Sequence, residues 1–211
     1  MREVLPHMEN LMMRLETPAD YAAVEHLTRE AFWNVYRPGC VEHYLLHRLR
    51  DSAGYLSQLH MLAIAGDDIV GSIVYSRSRV EGQDGRAWDT LTFGPLSVVP
   101  TRQRQGIGSA LVRHTLAMAY EAGERAVLIF GSPDYYGRFG FVPASRHGIT
   151  LPDGSSMDAF MALPLYPGAL DGVLGVFRED AAFGGIRDEA VDAYDEAFPP
   201  KVKMKLPGQI F

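Results

Sequence analysis

The chain has 211 residues, of which 47% are hydrophobic and 22% charged, and its formal net charge is −6. That length suits one well-buried domain, or one domain plus a tail, and the composition is that of a globular protein. The negative balance argues against nucleic acid or a membrane surface as partner, and no apolar run approaches the length of a membrane span. One cysteine, Cys40, leaves no intramolecular disulfide and fits a reducing compartment. The N-terminal stretch with Glu3, Pro6, His7 and Glu9 lacks a signal-like apolar core, so a cytoplasmic protein is expected.

Leu11 to Leu15 reads as a first strand. Thr17-Pro18 with Asp20 soon after opens a helix that runs to about Trp33 and buries Tyr21, Val24, Leu27, Ala31 and Phe32. After the break at Pro38-Gly39, a second helix covers Val41 to Arg50. Strands Leu59 to Ala65 and Ile69 to Val80 join through the hairpin turn Gly66-Asp67-Asp68. A turn at Gly82-Gln83-Asp84-Gly85 leads into a strand from Ala87 to Val99, stopped by Pro100. The next helix carries Ile107, Leu111, Thr115, Met118 and Ala122 along one face. Ala126 to Phe130, Phe141 to Ala144 and Met157 to Leu163 complete a mixed, mainly antiparallel sheet flanked by helices, of the α/β (α+β) class.

From Pro164 onward the chain changes character. Gly-rich pieces precede an acidic helical stretch from Asp188 to Ala197, then Pro199-Pro200. Lys201-Val202-Lys203-Met204-Lys205-Leu206 alternates as a half-buried edge strand does, with a disordered basic end as the competing reading. Such a strand would cap this sheet or reach a second copy in a homodimer, and both stay open. The expected organisation is one domain over residues 1–165 and a C-terminal extension over 166–211, packed on that domain or on a partner subunit.

The segment with the most chemistry is Gln103-Arg104-Gln105-Gly106-Ile107-Gly108, between the strand ending Leu96-Ser97-Val98-Val99 and the helix after it. Two glycines at a helix mouth leave the first amide groups bare and let a ligand approach. The helix dipole favours an anion there, so a phosphate or pyrophosphate fits, with Arg102 and Arg104 adding charge. A tight strand-to-helix turn would also explain the glycines. Spacing excludes the dinucleotide fingerprint, because Gly108 is followed by Ser109-Ala110-Leu111, and the P-loop, because no lysine occurs here.

A second segment follows the run Ala126–Phe130: Gly131-Ser132-Pro133-Asp134-Tyr135-Tyr136-Gly137-Arg138-Phe139-Gly140-Phe141. The pair [Q/R]-x-x-G-x-G and aromatic-Tyr-x-x-x-Gly-Phe, in this order with a helix and a strand between, resembles the two motifs of the GNAT superfamily of N-acetyltransferases. The form G-x-P-x-Y-Y-x-R-F-G-F is similar to a bacterial branch of that superfamily. The similarity runs from about Arg14 to Leu165.

The resemblance implies a splayed strand pair, Leu96–Val99 against Ala126–Phe130, with the pantetheine of acetyl-CoA in the gap. It implies coenzyme contacts from Leu96, Ser97, Val98, Val99, Gln103, Arg104, Gln105, Gly106, Ile107, Gly108, Ser109, Tyr135, Tyr136 and Arg138, with the diphosphate on the amides from Arg104 to Ser109. The Val98 N–H becomes the oxyanion donor, and Tyr136 the acid that protonates the departing sulfur. A packing role for Tyr136 beside Tyr135, Phe139 and Phe141 is the alternative. The implied reaction is direct acetyl transfer to a primary amine of a small molecule or protein, without a metal. A non-catalytic acyl-CoA-binding sensor or assembly module is the competing function.

No base is assigned. Glu30 and Asp134 are candidates that also read as an exposed carboxylate and a helix cap, and His60 reads as a satisfied core or rim histidine. Trp33, Tyr36 and Trp88 read as acceptor-pocket walls or as ordinary aromatic packing. His43 and His47 lack the glutamate of a zinc protease helix. Cys40 near His43 raises a covalent acyl-enzyme as a further route. Selection of the acceptor falls to the loops around Phe32–Cys40 and to the tail.

Overall fold

The computed structural model describes residues 11–209; the N-terminal reading over Glu3–Glu9 lies outside them. The described chain forms one twisted sheet with helices on both faces. Strand β1 (Leu11–Leu15) pairs antiparallel with β2 (Met61–Ala65), and β2 with β3 (Asp68–Glu81). Strand β4 (Ala87–Val98) runs antiparallel along the full length of β3. Strand β5 (Ala126–Phe130) lies parallel to β4 and antiparallel to β8 (Phe160–Pro164), whose other edge takes the two-residue β6 (Val142–Pro143). Strand β9 (Gly175–Arg178) pairs with β3 at Arg79–Glu81, on the edge that β2 leaves vacant, and holds β7 (Ile149–Thr150) on its far side.

Helices α1 (Tyr21–Phe32) and α2 (Glu42–Arg50) cover one face, where Val24, Leu46 and Leu49 pack on Leu62, Ile64 and Val74. Helix α3 (Ile107–Glu121) covers the other, with Ile107, Leu111 and Val112 against Ala63, Ile73, Leu91 and Val127. A sheet alternates its side chains between faces, so each strand feeds both cores. This is the mainly antiparallel mixed sheet expected. The final strands are shorter than their apolar runs: Phe141 and Met157–Ala159 fall outside β6 and β8.

The tail differs more. Helix α5 (Asp188–Asp195) forms where the acidic stretch predicts it, but residues 201–206 form no strand. They lie extended across the end of α1, fastened by side chains. The Val202 carbonyl accepts from Trp33 Nε1 and Asn34 Nδ2, both at 3.0 Å, and the Met204 N–H donates to Asn34 Oδ1 at 3.0 Å. Val202, Met204 and Leu206 are exposed rather than joined in a buried apolar face. Alternation reported an extended chain, and the hydrogen-bonding edge it needs to become a strand is absent.

Under α5, the Arg29 guanidinium is fully buried and grips Asp195 through Nε at 2.5 Å and Nη2 at 3.0 Å. Tyr194 and Phe198 pack on His43, 5.5 and 5.2 Å between ring centres. This anchor joins residues 166 positions apart.

Candidate active site

Strands β4 and β5 pair at Leu91 and Val127 and nowhere beyond, although β4 continues against β3 as far as Val98. The two strands therefore part, leaving a gap beside the last turns of β4. Antiparallel pairing decides which groups face it. The Val99 N–H donates to the Val70 carbonyl at 3.0 Å, so Val99 and Ser97 turn their backbone groups toward β3. Val98 and Leu96, in the alternate positions, turn theirs toward the gap. Consistent with this, the Val98 carbonyl accepts from Gln103 Nε2 at 3.2 Å.

Two of the four residues expected to contact the coenzyme turn their backbone groups elsewhere. Val99 has no backbone group to offer, because its carbonyl accepts from the Arg102 N–H at 2.9 Å. Ser97 is buried, and its hydroxyl donates to Thr28 Oγ1 on α1 at 3.0 Å, on the face away from α3.

The glycine loop follows. Arg104 at φ 60° and Gly106 at φ 90° are both left-handed and turn the chain sharply into α3. The first intrahelical bond runs from the Ala110 N–H to the Gly106 carbonyl at 2.9 Å. The amides of Ile107, Gly108 and Ser109 thus precede any intrahelical donor, and those of Arg104, Gln105 and Gly106 have no backbone acceptor among the described residues. Six consecutive amides stand unpaired at the positive end of a 15-residue helix. The side chains of Arg102 and Arg104 are exposed beside them.

Helix α4 (Pro133–Tyr136) brings the aromatic segment to the same place. Tyr135 Oη lies 3.4 Å from Ser109 Oγ, and a β-carbon on residue 108 would stand 3.0 Å from that hydroxyl, a tight approach that glycine avoids. Arg138 stacks on the Tyr135 ring at 4.7 Å. The Tyr136 ring is wedged among Phe93 (5.7 Å), Phe141 (5.9 Å) and Tyr135 (4.9 Å). Its edge also lies against Gly131, where a β-carbon would clash with Cε2 and Cδ2 of the ring. Burial, then the neighbouring Tyr135 and Tyr36, push the Tyr136 phenol above its ordinary pKa, so it keeps its proton.

The remaining candidates separate. Glu30 is held by Lys201 Nζ at 2.9 Å, and Asp134 is exposed in the first turn of α4. Trp88 sits at the opposite end of β4, beside Val80 and under Arg86, far from the gap. Trp33 packs on Arg29 at 4.2 Å and is tied to the tail. Tyr36, 6.0 Å from Phe32, alone of the three aromatics neighbours Tyr136. Cys40 Sγ does lie 3.3 Å from His43 Nδ1, but both are buried beneath α5, and burial pushes the thiol up to about 12. Burial therefore disfavours the thiolate that an acyl-enzyme would need. Among the described residues no group of three or more His, Cys, Asp or Glu side chains is placed to hold a metal.

A buried polar cluster escaped the sequence reading. Glu16, Arg50, Tyr55, His60 and Ser72 meet between β1, α2 and β3, with Arg50 Nη2 2.6 Å from Glu16 Oε1 and the Tyr55 hydroxyl 3.2 Å from Glu16 Oε2. Only His60, a histidine amid an apolar run, was a signal.

The profile of the GNAT acetyltransferase domain matches residues 13–144, taking in the split strands, the glycine loop and the tyrosine helix. The chain belongs to the GNAT acetyltransferase family. Among GNAT relatives, the N-acetyltransferase YhbS of Escherichia coli is 31% identical over 169 residues, covering 79% of this chain and 94% of the relative. Its crystal structure in complex with CoA superposes with a TM-score of 0.74 at 27% identity, over 84% of this chain and 94% of that one. A GNAT acetyltransferase from Brucella melitensis, crystallised with acetyl-CoA, superposes with a TM-score of 0.65 at 28% identity, over 82% and 97% of the two chains.

Proposed function

We propose that this GNAT protein transfers an acetyl group directly from acetyl-CoA to a primary amine of a small molecule or protein. The observation that carries the reading is the run of unpaired amides from Arg104 to Ser109 beside the gap between β4 and β5. Amides left open at a helix mouth, beside two glycines and flanking arginines, suit an anionic ligand in place of water. The diphosphate binds these amides, with Arg102, Arg104 and Arg138 offsetting its charge on an otherwise acidic protein. The pantetheine arm pairs with Leu96 and Val98 as an added strand would, while Ser97 and Val99 serve as scaffold. The relatives crystallised with CoA and acetyl-CoA support the same co-substrate.

Acyl transfer from a thioester needs alignment, a donor for the developing oxyanion and a proton for the leaving sulfur. The Val98 N–H, aimed into the gap, is the oxyanion donor. Tyr136, held protonated by its surroundings, is the acid. The buried, uncharged thiol of Cys40 favours direct transfer over an acyl-enzyme. Residues 166–211 act as an extension fastened to the same domain through Arg29 and Asn34. Among the described residues no helix is long and apolar enough to cross a membrane, and the single buried cysteine suits the cytoplasm.

The test is release of CoA thiol over a panel of amines, amino acids, aminoglycosides and peptides. At least one acceptor is expected to give steady turnover, and Tyr136→Phe to lower kcat about tenfold to a hundredfold with acetyl-CoA affinity unchanged. Tight acetyl-CoA binding without release for any acceptor would favour the sensor instead, and an unaltered kcat in Tyr136→Phe would remove the acid role.

A further inference from the structure

Lysine is confined to one end of this chain. Of its 20 lysine and arginine residues only Lys201, Lys203 and Lys205 are lysines, and every other is arginine. Either serves as a solvated surface cation. They differ in what they offer an acyl donor. A guanidinium stays protonated and exposes no nucleophilic nitrogen, whereas a lysine ammonium deprotonates near pH of about 10 and its nitrogen then attacks a thioester. A protein that holds acetyl-CoA thus presents its side-chain amines in one short stretch of tail.

That stretch is fastened to the domain. The Met204 N–H donates to Asn34 Oδ1 at 3.0 Å, and Gln209 Nε2 donates to the Asn34 and Met204 carbonyls at 3.0 and 3.1 Å. The Leu206 N–H donates to Gln209 Oε1 at 2.9 Å, so Lys205 stands between two anchored residues with its side chain exposed. Asn34, left-handed at φ 59°, also closes the loop after α1. Its N–H donates to the Gly39 carbonyl and its Oδ1 accepts from the Gly39 N–H, both at 2.8 Å. The closed loop carries Tyr36, the neighbour of Tyr136. Helix α1 lies on the sheet face opposite α3, so a tail tied to its end leaves the coenzyme amides open.

The three amines are not equivalent. Lys201 Nζ lies 2.9 Å from Glu30 and 5.5 Å over the Trp33 ring. Lys203 pairs with Asp192, and its stem crosses Gly39, where a β-carbon would stand 3.2 Å from Cε. A carboxylate partner favours the protonated amine and so withholds the nucleophile. Lys205 has no such partner among the described residues. We propose that Lys205 is a self-acetylation site, with the tail serving the protein as its own acceptor. The proposal rests on the transferase reading. The Lys205 ammonium loses one proton to solvent, and its neutral nitrogen attacks the thioester carbonyl. The N–C bond forms and the C–S bond breaks. The sulfur takes its proton from Tyr136, and the second proton leaving the nitrogen restores the phenol. The products are CoA thiol and an acetyl-lysine, and the tail loses one positive charge.

The test incubates the full chain with acetyl-CoA alone and maps acetyl groups by peptide mass spectrometry over time. Lys205 is expected to be labelled first, Lys203 more slowly and Lys201 last, at a rate that saturates in acetyl-CoA. Tyr136→Phe should slow labelling of Lys205 about tenfold to a hundredfold, and Gly108→Val should raise the half-saturating acetyl-CoA about a hundredfold. Lys205→Arg keeps the charge and should remove the fastest label. A rate per chain independent of protein concentration means that each molecule labels itself, and a rate proportional to it means that a second copy does so. Labelling that rises linearly with acetyl-CoA and ignores the Tyr136 and Gly108 substitutions would be chemical acetylation and overturn the proposal, as would label on Lys201 or Lys203 ahead of Lys205. Turnover of an added amine with an unlabelled tail would overturn self-acetylation and leave the transferase reading standing. Absence of both would overturn the transferase reading as well.

Discussion

The two faces of the sheet at the end of β4 are built by opposite means. On the α3 face, six amides from Arg104 to Ser109 are left without partners in an exposed, arginine-flanked mouth. On the α1–α2 face, polar groups are buried and tied to one another: Arg29 to Asp195, Glu16 to Arg50 and His60, Asn34 to Val202 and Met204. The open donors leave room for a ligand, whereas the ion pairs and side-chain bonds of the other face hold the chain to itself.

If that contrast is sound, damage to the two faces should separate stability from binding. Asp195→Ala strands the Arg29 guanidinium in the interior and should cost about 3–5 kcal/mol in urea unfolding, while the surviving folded protein binds acetyl-CoA as before. A parallel loss of coenzyme affinity would break the distinction. The same anchor makes stability depend on acidity. Burial lowers the His43 pKa to about 4, so this ring is neutral in the fold. Its value of 6.5 in the unfolded chain means that between those limits the unfolded state binds a proton the native state refuses. Stability should therefore fall as pH drops from about 6.5 to about 4, by up to about 3 kcal/mol, and His43→Gln should flatten that slope.

Gly108→Val acts on the other face. Its β-carbon would stand 3.0 Å from the Tyr135 hydroxyl and in the path of the amides. Acetyl-CoA affinity should fall about a hundredfold, or roughly 2.7 kcal/mol, in calorimetric titration, with the unfolding midpoint nearly unmoved. Smallest of all is the expected effect at Cys40, which is 4% exposed with a thiol pushed up to about 12. Iodoacetamide should leave the native protein unlabelled and active, and label it only after unfolding.

The same contrast explains what could be read from residues alone. The glycine loop and the tyrosine helix are contiguous, and their meaning lies in short-range geometry: a strand stop, two glycines, a helix face, a Pro-led turn. Which of Leu96, Ser97, Val98 and Val99 face the gap needed only the register against β3, and one hydrogen bond from Val99 to Val70 decided it. The tail was illegible because its partners lie at the far end of the chain. Nothing near Asp195 announces Arg29, and the alternation of Lys201–Leu206 says nothing of Asn34, whose side chain does the fastening. Trp88 stayed open between a pocket wall and ordinary packing for a related reason: aromatic character names a packing need, and only the length of β4 shows that it stands at the end away from the gap.

The most direct test is to titrate acetyl-CoA into isotope-labelled protein and follow each backbone amide by nuclear magnetic resonance. The amides from Arg104 to Ser109, together with Leu96 and Val98, should show the largest shifts, and the β3-bonded amides of Ser97 and Val99 much smaller ones. Saturable binding that leaves the Arg104–Ser109 amides unmoved would contradict the assignment of this cradle to the coenzyme.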